Sequence, residues 1–456
     1  MGALLSTYET SRIPKIHYPD EPNYFPIKKS TTSKDGTDEE EVEQTSLRAF
    51  VEQRCPSLHN EFKPAWWLFN GHLQTGWCVV GDFSKVDKVV YERKCIRLVD
   101  GGTLGLDFTP PFEEQRHMKE DTPVIVVLHG LTGGSYEAYV RAILAPACRP
   151  VAEGGLGYRA VVVNFRGCAG VPITSPQLYS AGHTDDIRQA LFYITKRYPN
   201  APFLGVGFSL GANVLVKYLA EEGPNSRLVA GVSLGCPWDL KANNDALKGD
   251  FVSRNVYAKT LGRNLVNLVR INASSMIKFT ERGCAQQISV ALNLKGPTLE
   301  DFDNAMTRFF GGTDRPHGVF PLDKAEDYYR WASTHKVVAD VGVPFLAINA
   351  ADDPVVQKVP MNAGGNGLCA MVLTAKGGHL GWFEAGDRRW ITKPVLEWLH
   401  AVGTDLVYNK TRGRPLREVD GYIKEEGDDR LHLGCYELEG GGILMGTDGE
   451  GFLAGL

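Results

Sequence analysis

Phe203-Leu204-Gly205-Val206-Gly207-Phe208-Ser209-Leu210-Gly211-Ala212-Asn213 (FLGVGFSLGAN) reads as a strand, a tight turn and a helix in immediate succession. The run before Ser209 is apolar, and Leu210–Leu219 carries helical spacing. A turn this tight needs Gly on both sides, at 207 and 211, and it holds the Ser209 hydroxyl exposed above the sheet edge. The helix that begins at Leu210 points free N–H groups and its positive dipole end at the same place. The bland alternative is a Gly-rich turn whose Ser merely caps the helix. Partners downstream tip the balance toward a nucleophile.

Outward from this turn the chain alternates between the two periods. Val124–Leu128 (VIVVL), Ala160–Asn164, Val229–Leu234, Phe345–Ala350 and Ala370–Thr374 are short apolar runs suited to parallel strands buried on both faces. Glu137–Cys148, Asp185–Lys196 and Trp390–His400 read as helices between and after them. The expected fold class is α/β, a doubly wound, mostly parallel sheet. Between Trp238 and Val341 the strand signal stops, and helical patterns (Ala258–Val269, Leu299–Phe309, Lys324–Trp331) suggest a helical cap insertion at about 238–341. The domain expectation is an N-terminal segment over 1–45, partly disordered, a folded domain over 46–403 and a Gly-rich C-terminal extension over 404–456. Ser30–Ser46, ending in acidic residues, reads as a mobile linker.

Composition narrows the function classes. Lys and Arg number 49 against 54 Asp and Glu, a balance that gives no reason to expect nucleic acid. Nine scattered cysteines without a CxxC pair point to reduced thiols in an intracellular protein and to no metal site. No secretory signal and no membrane-length apolar run is legible, so the expected location is cytoplasmic or peripheral to a membrane, not secreted. Met1-Gly2-Ala3-Leu4-Leu5-Ser6 fits the spacing for myristoylation of Gly2, which would add contact with a membrane or lipid droplet.

A serine hydroxyl needs a base, and chain order in such sheets is Ser, acid, His. His379 follows the strand Ala370–Thr374 in Lys376-Gly377-Gly378-His379-Leu380-Gly381, whose glycines let the loop reach the serine; His400 falls in the last helix instead. The acid belongs after the preceding strand, where Asp352 and Asp353 are adjacent. Neighbours in such a turn point different ways, so only one can orient the imidazole. Asp353, directly before Pro354, is preferred, with Asp352 capping or bracing the loop. His129-Gly130-Leu131-Thr132-Gly133-Gly134 follows Val124–Leu128 and would supply an oxyanion donor from Leu131, or Thr132, to act with the N–H of Leu210. His129 is expected to brace that loop. No cofactor is expected, and no spacing marks the substrate pocket.

These motifs, together with Gly71-His72-Leu73-Gln74-Thr75, the block His129–Arg141, Asn164–Gly170 (NFRGCAG), Ser180–Asp186 (SAGHTDD) and Gly207–Asn213, resemble the YheT-like α/β-hydrolases. That family includes plant embryogenesis-associated hydrolases, animal phospholipase-type members and, as the branch most similar here, the fungal medium-chain fatty acid ethyl ester synthase/esterases. The resemblance spans roughly residues 65–400. It implies the α/β-hydrolase fold, a triad of Ser209, Asp353 and His379, and an acyl ester or acyl-CoA as substrate. His183 departs from it, standing where relatives often carry a different polar residue. Arg166 is expected to pair with a nearby carboxylate rather than with an anionic headgroup.

The leading expectation is therefore a serine esterase and acyltransferase for medium-chain acyl groups, with an alcohol such as ethanol as acceptor. A phospholipase or monoacylglycerol lipase, docking at an interface through Trp66-Trp67, is the alternative. A hydrolase fold kept only as a binding module is the non-enzyme reading.

Overall fold

The computed structural model describes residues 12–29, 41–249, 251–280, 283–386, 388–409 and 412–447. Gly2 and residues 30–40 of the acidic linker lie outside them. In chain order the strands are β1 (Lys15–His17), β2 (Tyr24–Lys28), β3 (Val42–Ser46), β4 (Val90–Leu98), β5 (Thr103–Thr109), β6 (Val124–Leu128), β7 (Arg159–Asn164) and β8 (Phe203–Phe208). They continue with β9 (Leu228–Leu234), β10 (Phe345–Ala350), β11 (Cys369–Thr374), β12 (Leu416–Val419), β13 (Tyr422–Glu425), β14 (Cys435–Glu437) and β15 (Gly442–Met445). The main sheet runs β1-β11-β10-β9-β8-β6-β7-β5-β4-β14-β13-β12, with β15 also paired to β4. The strands β6 to β11 are mutually parallel, and those outside them are antiparallel. The fold class expected from the apolar runs is the one observed.

Alternation within β6 shows why the sheet needs helices on both faces. Val124, Val126 and Leu128 pack into one layer with Leu191 and Leu215, from the helices Asp185–Arg197 and Leu210–Glu222. Ile125 and Val127 point the other way, toward Phe50, Ile143 and Trp398 of the helices Leu47–Arg54, Ala138–Cys148 and Thr392–Thr404. Every β6 side chain is thus buried, which is why the segment reads as a continuous apolar run rather than an alternating one.

At both ends the chain has strands that the sequence reading did not name. Ahead of Ser46, β1 pairs antiparallel with β11 (Ile16 opposite Val372), and β2 forms a hairpin ladder with β3. The Gly-rich extension contributes β12 to β15 to the sheet, through β14 and β15 on β4. Its glycines sit largely in turns at positive φ, such as Gly421 and Gly440, where they connect strands instead of preventing them. Between Trp238 and Val341 the principal elements are helices, including Leu240–Gly249, Lys259–Met276, Cys284–Leu292 and Ala325–Ala332. Part of this segment has its own apolar cluster around Val269, Met306 and Phe310. The expected helix over Leu299–Phe309 is broken: Leu299–Phe302 passes through a π turn, Asp303–Thr307, into Arg308–Phe310. Among the described residues no helix is long and apolar enough to cross a membrane.

Candidate active site

Ser209 stands at the C-terminal end of β8 with φ 48° and ψ −118°, a strained conformation for a residue with a side chain. The flanking glycines explain how the turn is possible. A Cβ at Gly207 would lie 2.6 Å from Ala212 Cα, and one at Gly211 would lie 2.3 Å from the carbonyl oxygen of Leu128. Ser209 N–H donates to Leu234 O at 2.9 Å, which ties the elbow to β9. Although Ser209 occupies the N-cap of the helix Leu210–Glu222, its side chain makes no capping bond. Its Oγ lies 2.8 Å from His379 Nε2 instead. A mere helix cap would look different.

His379 is carried by the loop after β11, in which Gly377, Gly378 and Leu380 all have positive φ. A Cβ on Gly378 would sit 2.3 Å from Gly71 O, so the loop can lie this close to the helix Gly71–Val80 only with glycine there. His379 N–H donates to Thr75 Oγ1 at 2.8 Å, and the Thr75 hydroxyl donates to Gly71 O at 2.7 Å. The imidazole Nδ1 lies 2.8 Å from Asp353 Oδ2. With Nδ1 protonated toward Asp353, Nε2 is left to accept from the Ser209 hydroxyl, the tautomer a base requires.

The two adjacent carboxylates diverge. Asp353 Oδ1 accepts the N–H groups of Val355 (2.7 Å) and Val356 (2.9 Å), which locks the carboxylate while Oδ2 faces His379. Asp352 Oδ1 accepts Gly378 N–H at 2.9 Å and so holds the His379 loop from outside. Burial pushes the Asp352 carboxyl above its ordinary range.

In the loop after β6, Gly130 N–H donates to Tyr139 Oη and Thr132 N–H to Tyr179 Oη, both at 3.0 Å. Thr132 is therefore engaged, whereas among the described residues the N–H groups of Leu131 and Leu210 are not taken by another protein group. A Cβ on Gly130 would lie 3.5 Å from Ser209 Cβ, so this loop passes directly beside the serine. His129 is fully buried, with Nδ1 on Gly130 O (2.7 Å) and Nε2 accepting Phe165 N–H (3.2 Å). Burial drives its pKa down to about 4, so it is a neutral brace.

Leu131, Ser209 and Leu210 open on a cavity of about 100 Å³. Leu240, Leu247, Leu265 and Leu268 wall it from the helices Leu240–Gly249 and Lys259–Met276. Sequence reasoning gave no role to Thr75, and of the cavity lining it found only Leu131, Ser209 and Leu210, not the cap residues. Thr75 closes the stretch Gly71–Thr75 that carries part of the resemblance, in a helix started by Asn70 Oδ1 accepting from Leu73 N–H, but nothing in that stretch marks it as an anchor for His379.

Arg166 is away from this centre. Its guanidinium is buried and grips Asp186 through two bonds (2.7 and 2.9 Å), with Asp100 and Ser175 on the remaining nitrogen. It is a structural ion pair, with no edge left for a headgroup. His183 belongs to the same cluster, 2.9 Å from Gln177 and 3.4 Å from Asp186.

A family model described as alpha/beta hydrolase fold matches residues 123–385. The chain is 29% identical to a monoacylglycerol lipase of Saccharomyces cerevisiae, over 84% of this chain and 88% of that protein. It is 30% identical to medium-chain fatty acid ethyl ester synthase/esterase 2 of the same yeast, over 78% of this chain and 89% of that one. To phospholipase ABHD3 of Homo sapiens it is 29% identical, over 74% and 78% respectively.

Proposed function

The chain belongs to the alpha/beta hydrolase fold family, and on that basis we propose that it is a serine esterase that also transfers medium-chain acyl groups to an alcohol. The observation that supports this most directly is the continuous line Asp353–His379–Ser209, with 2.8 Å at each link, opening on a leucine-walled cavity. Ser209 Oγ attacks the acyl carbonyl while His379 Nε2 takes its proton. The new oxyanion receives the N–H groups of Leu131 and Leu210. Collapse of the tetrahedral intermediate expels the alcohol, protonated by His379, and leaves an acyl-enzyme. Water then yields the free acid, or a second alcohol yields a new ester. Asp353 stays ionised throughout and stabilises the imidazolium. The helices between Trp238 and Val341 act as a cap that supplies the acyl pocket and limits water.

The names of the relatives support lipase or esterase chemistry, and one of them is named both synthase and esterase for medium-chain fatty acid ethyl esters. A second reading, a monoacylglycerol lipase or phospholipase working at a lipid surface, is favoured by the exposure of Trp66 (87%), Phe69 and Phe251. The binding-module reading has no such support, since it predicts a gap in the Ser–His–Asp line. The test is product analysis from ethyl octanoate, and from an octanoyl donor with ethanol, using wild type and Ser209→Ala. Free acid and ethyl ester from wild type alone are expected. Ester synthesis undiminished in Ser209→Ala would overturn the single-site mechanism.

A further inference from the structure

The cavity beside Ser209 is mostly apolar, but a few polar side chains line it as well. Asp303 and Thr307 line it from the π turn that interrupts the cap helix, a distortion often found at functional sites. Thr307 Oγ1 donates to Asp303 Oδ1 at 2.6 Å, and Tyr329 Oη donates to Oδ2 at 2.7 Å. Among the described residues no cation pairs with this carboxyl, and burial pushes it up to about 7. A carboxylate offers about four lone-pair sites, so two bonds leave acceptor capacity unused.

Two more polar residues belong to the lining of the same cavity. Asn243 Oδ1 accepts Gln357 N–H at 3.1 Å, yet its Nδ2 is buried with no partner. Ser180 Oγ is turned toward the Tyr328 hydroxyl without making a bond of good geometry, while Tyr328 Oη accepts Ala181 N–H at 3.0 Å. Both side chains are more than nine-tenths buried. Leaving such atoms unsatisfied costs free energy, so a pocket that keeps them fits a ligand that satisfies them.

We propose that this cavity receives a neutral, hydroxyl-bearing group of the ester, with Asp303, Ser180 and Asn243 as specificity-determining contacts; this rests on the esterase function above. A hydroxyl donates to the spare lone pairs of Asp303 and accepts from Asn243 Nδ2 or Ser180 Oγ. A carboxylate in the substrate would be repelled by Asp303. A quaternary ammonium has no acceptor for Asn243, and a plain alkyl chain satisfies none of the three.

The hydroxyl could belong to the acyl chain or to the alcohol, and a substrate series separates them. Rates (kcat/KM) are measured for ethyl octanoate, ethyl 8-hydroxyoctanoate, 2-hydroxyethyl octanoate and octanoylcholine. Wild type is expected to prefer one hydroxylated ester over ethyl octanoate by about 3- to 10-fold, the range of one or two modest hydrogen bonds. In Ser180→Ala and Asp303→Asn that ratio falls toward one. Because Ser180 Oγ makes no well-formed protein bond, a loss of ratio there, at unchanged melting temperature, cannot come from a weakened fold. A preference for octanoylcholine, or a ratio near one in wild type, overturns the pocket assignment and leaves the esterase reading standing. No Ser209-dependent turnover of any ester overturns both.

Discussion

The Thr75 hydroxyl accepts the backbone N–H of His379 at 2.8 Å, so a helix near the start of the chain fixes the base 304 residues further along. Thr75→Val removes that acceptor and leaves a buried N–H unpaired. We expect a stability loss of about 1–3 kcal/mol by chemical denaturation, with kcat reduced by roughly tenfold or more as the imidazole loses its anchor. Thr75→Ser should recover most of both. If Thr75→Val kept full kcat, the helix would have no part in positioning His379.

Asp352 and Asp353 separate cleanly by substitution. Asp353→Asn keeps an acceptor for the Val355 and Val356 N–H groups but upsets the His379 tautomer, so kcat should fall on the order of 10⁴-fold. Asp352→Asn retains an oxygen for Gly378 N–H and should change kcat only a few-fold. Steady-state rates on a p-nitrophenyl ester decide it, and equal losses would mean the acid has been misassigned.

Arg166→Met strands the buried Asp186 carboxylate, whose pKa the arginine holds below its ordinary range against the opposing effect of burial. Breaking such a pair costs about 3–5 kcal/mol, and the double variant Arg166→Met with Asp186→Leu should regain most of it. Urea denaturation reads both. A stable single variant with selectively lost activity on phospholipids would instead favour a headgroup contact.

Asp303 sets a pH dependence of stability with a definite sign. Burial is the largest cause raising its carboxyl, and Glu300 adds to it, against bonds from Thr307 and Tyr329. The folded state thus holds its proton more tightly than the unfolded chain. The associated stability is full below the unfolded value near 3.8 and is lost as pH rises through about 7. Asp303→Asn mimics the protonated form, so its melting temperature should gain on wild type between pH 5 and pH 8. A constant gap across that range would show that the carboxyl is not desolvated.

Much of this architecture is legible in sequence for physical reasons. Strands buried on both faces, such as Val124–Leu128, have no choice but continuous apolar residues, and Ser209 and His379 each need glycine neighbours. The outer strands escape because their demands are weaker. β4 carries Arg93 and Lys94 amid its apolar positions, and its partners β14 and β15 are three and four residues long. The substrate cavity is illegible for a different reason. Ser180, Asn243, Asp303 and Tyr329 come from separate segments, and no spacing joins them before the cap folds.

The pairing of Ile16 with Val372 has a temporal meaning as well. During synthesis β1 leaves the ribosome long before β11 exists to receive it, and β4 waits similarly for β14 and β15. Until then β1 is an unpaired strand, and β4 presents an open hydrogen-bonding edge in the nascent chain. Such long-range closure folds slowly and exposes templates for misassociation. Production at reduced temperature, or with chaperones that shield unpaired edges, should raise the soluble yield without touching any catalytic group.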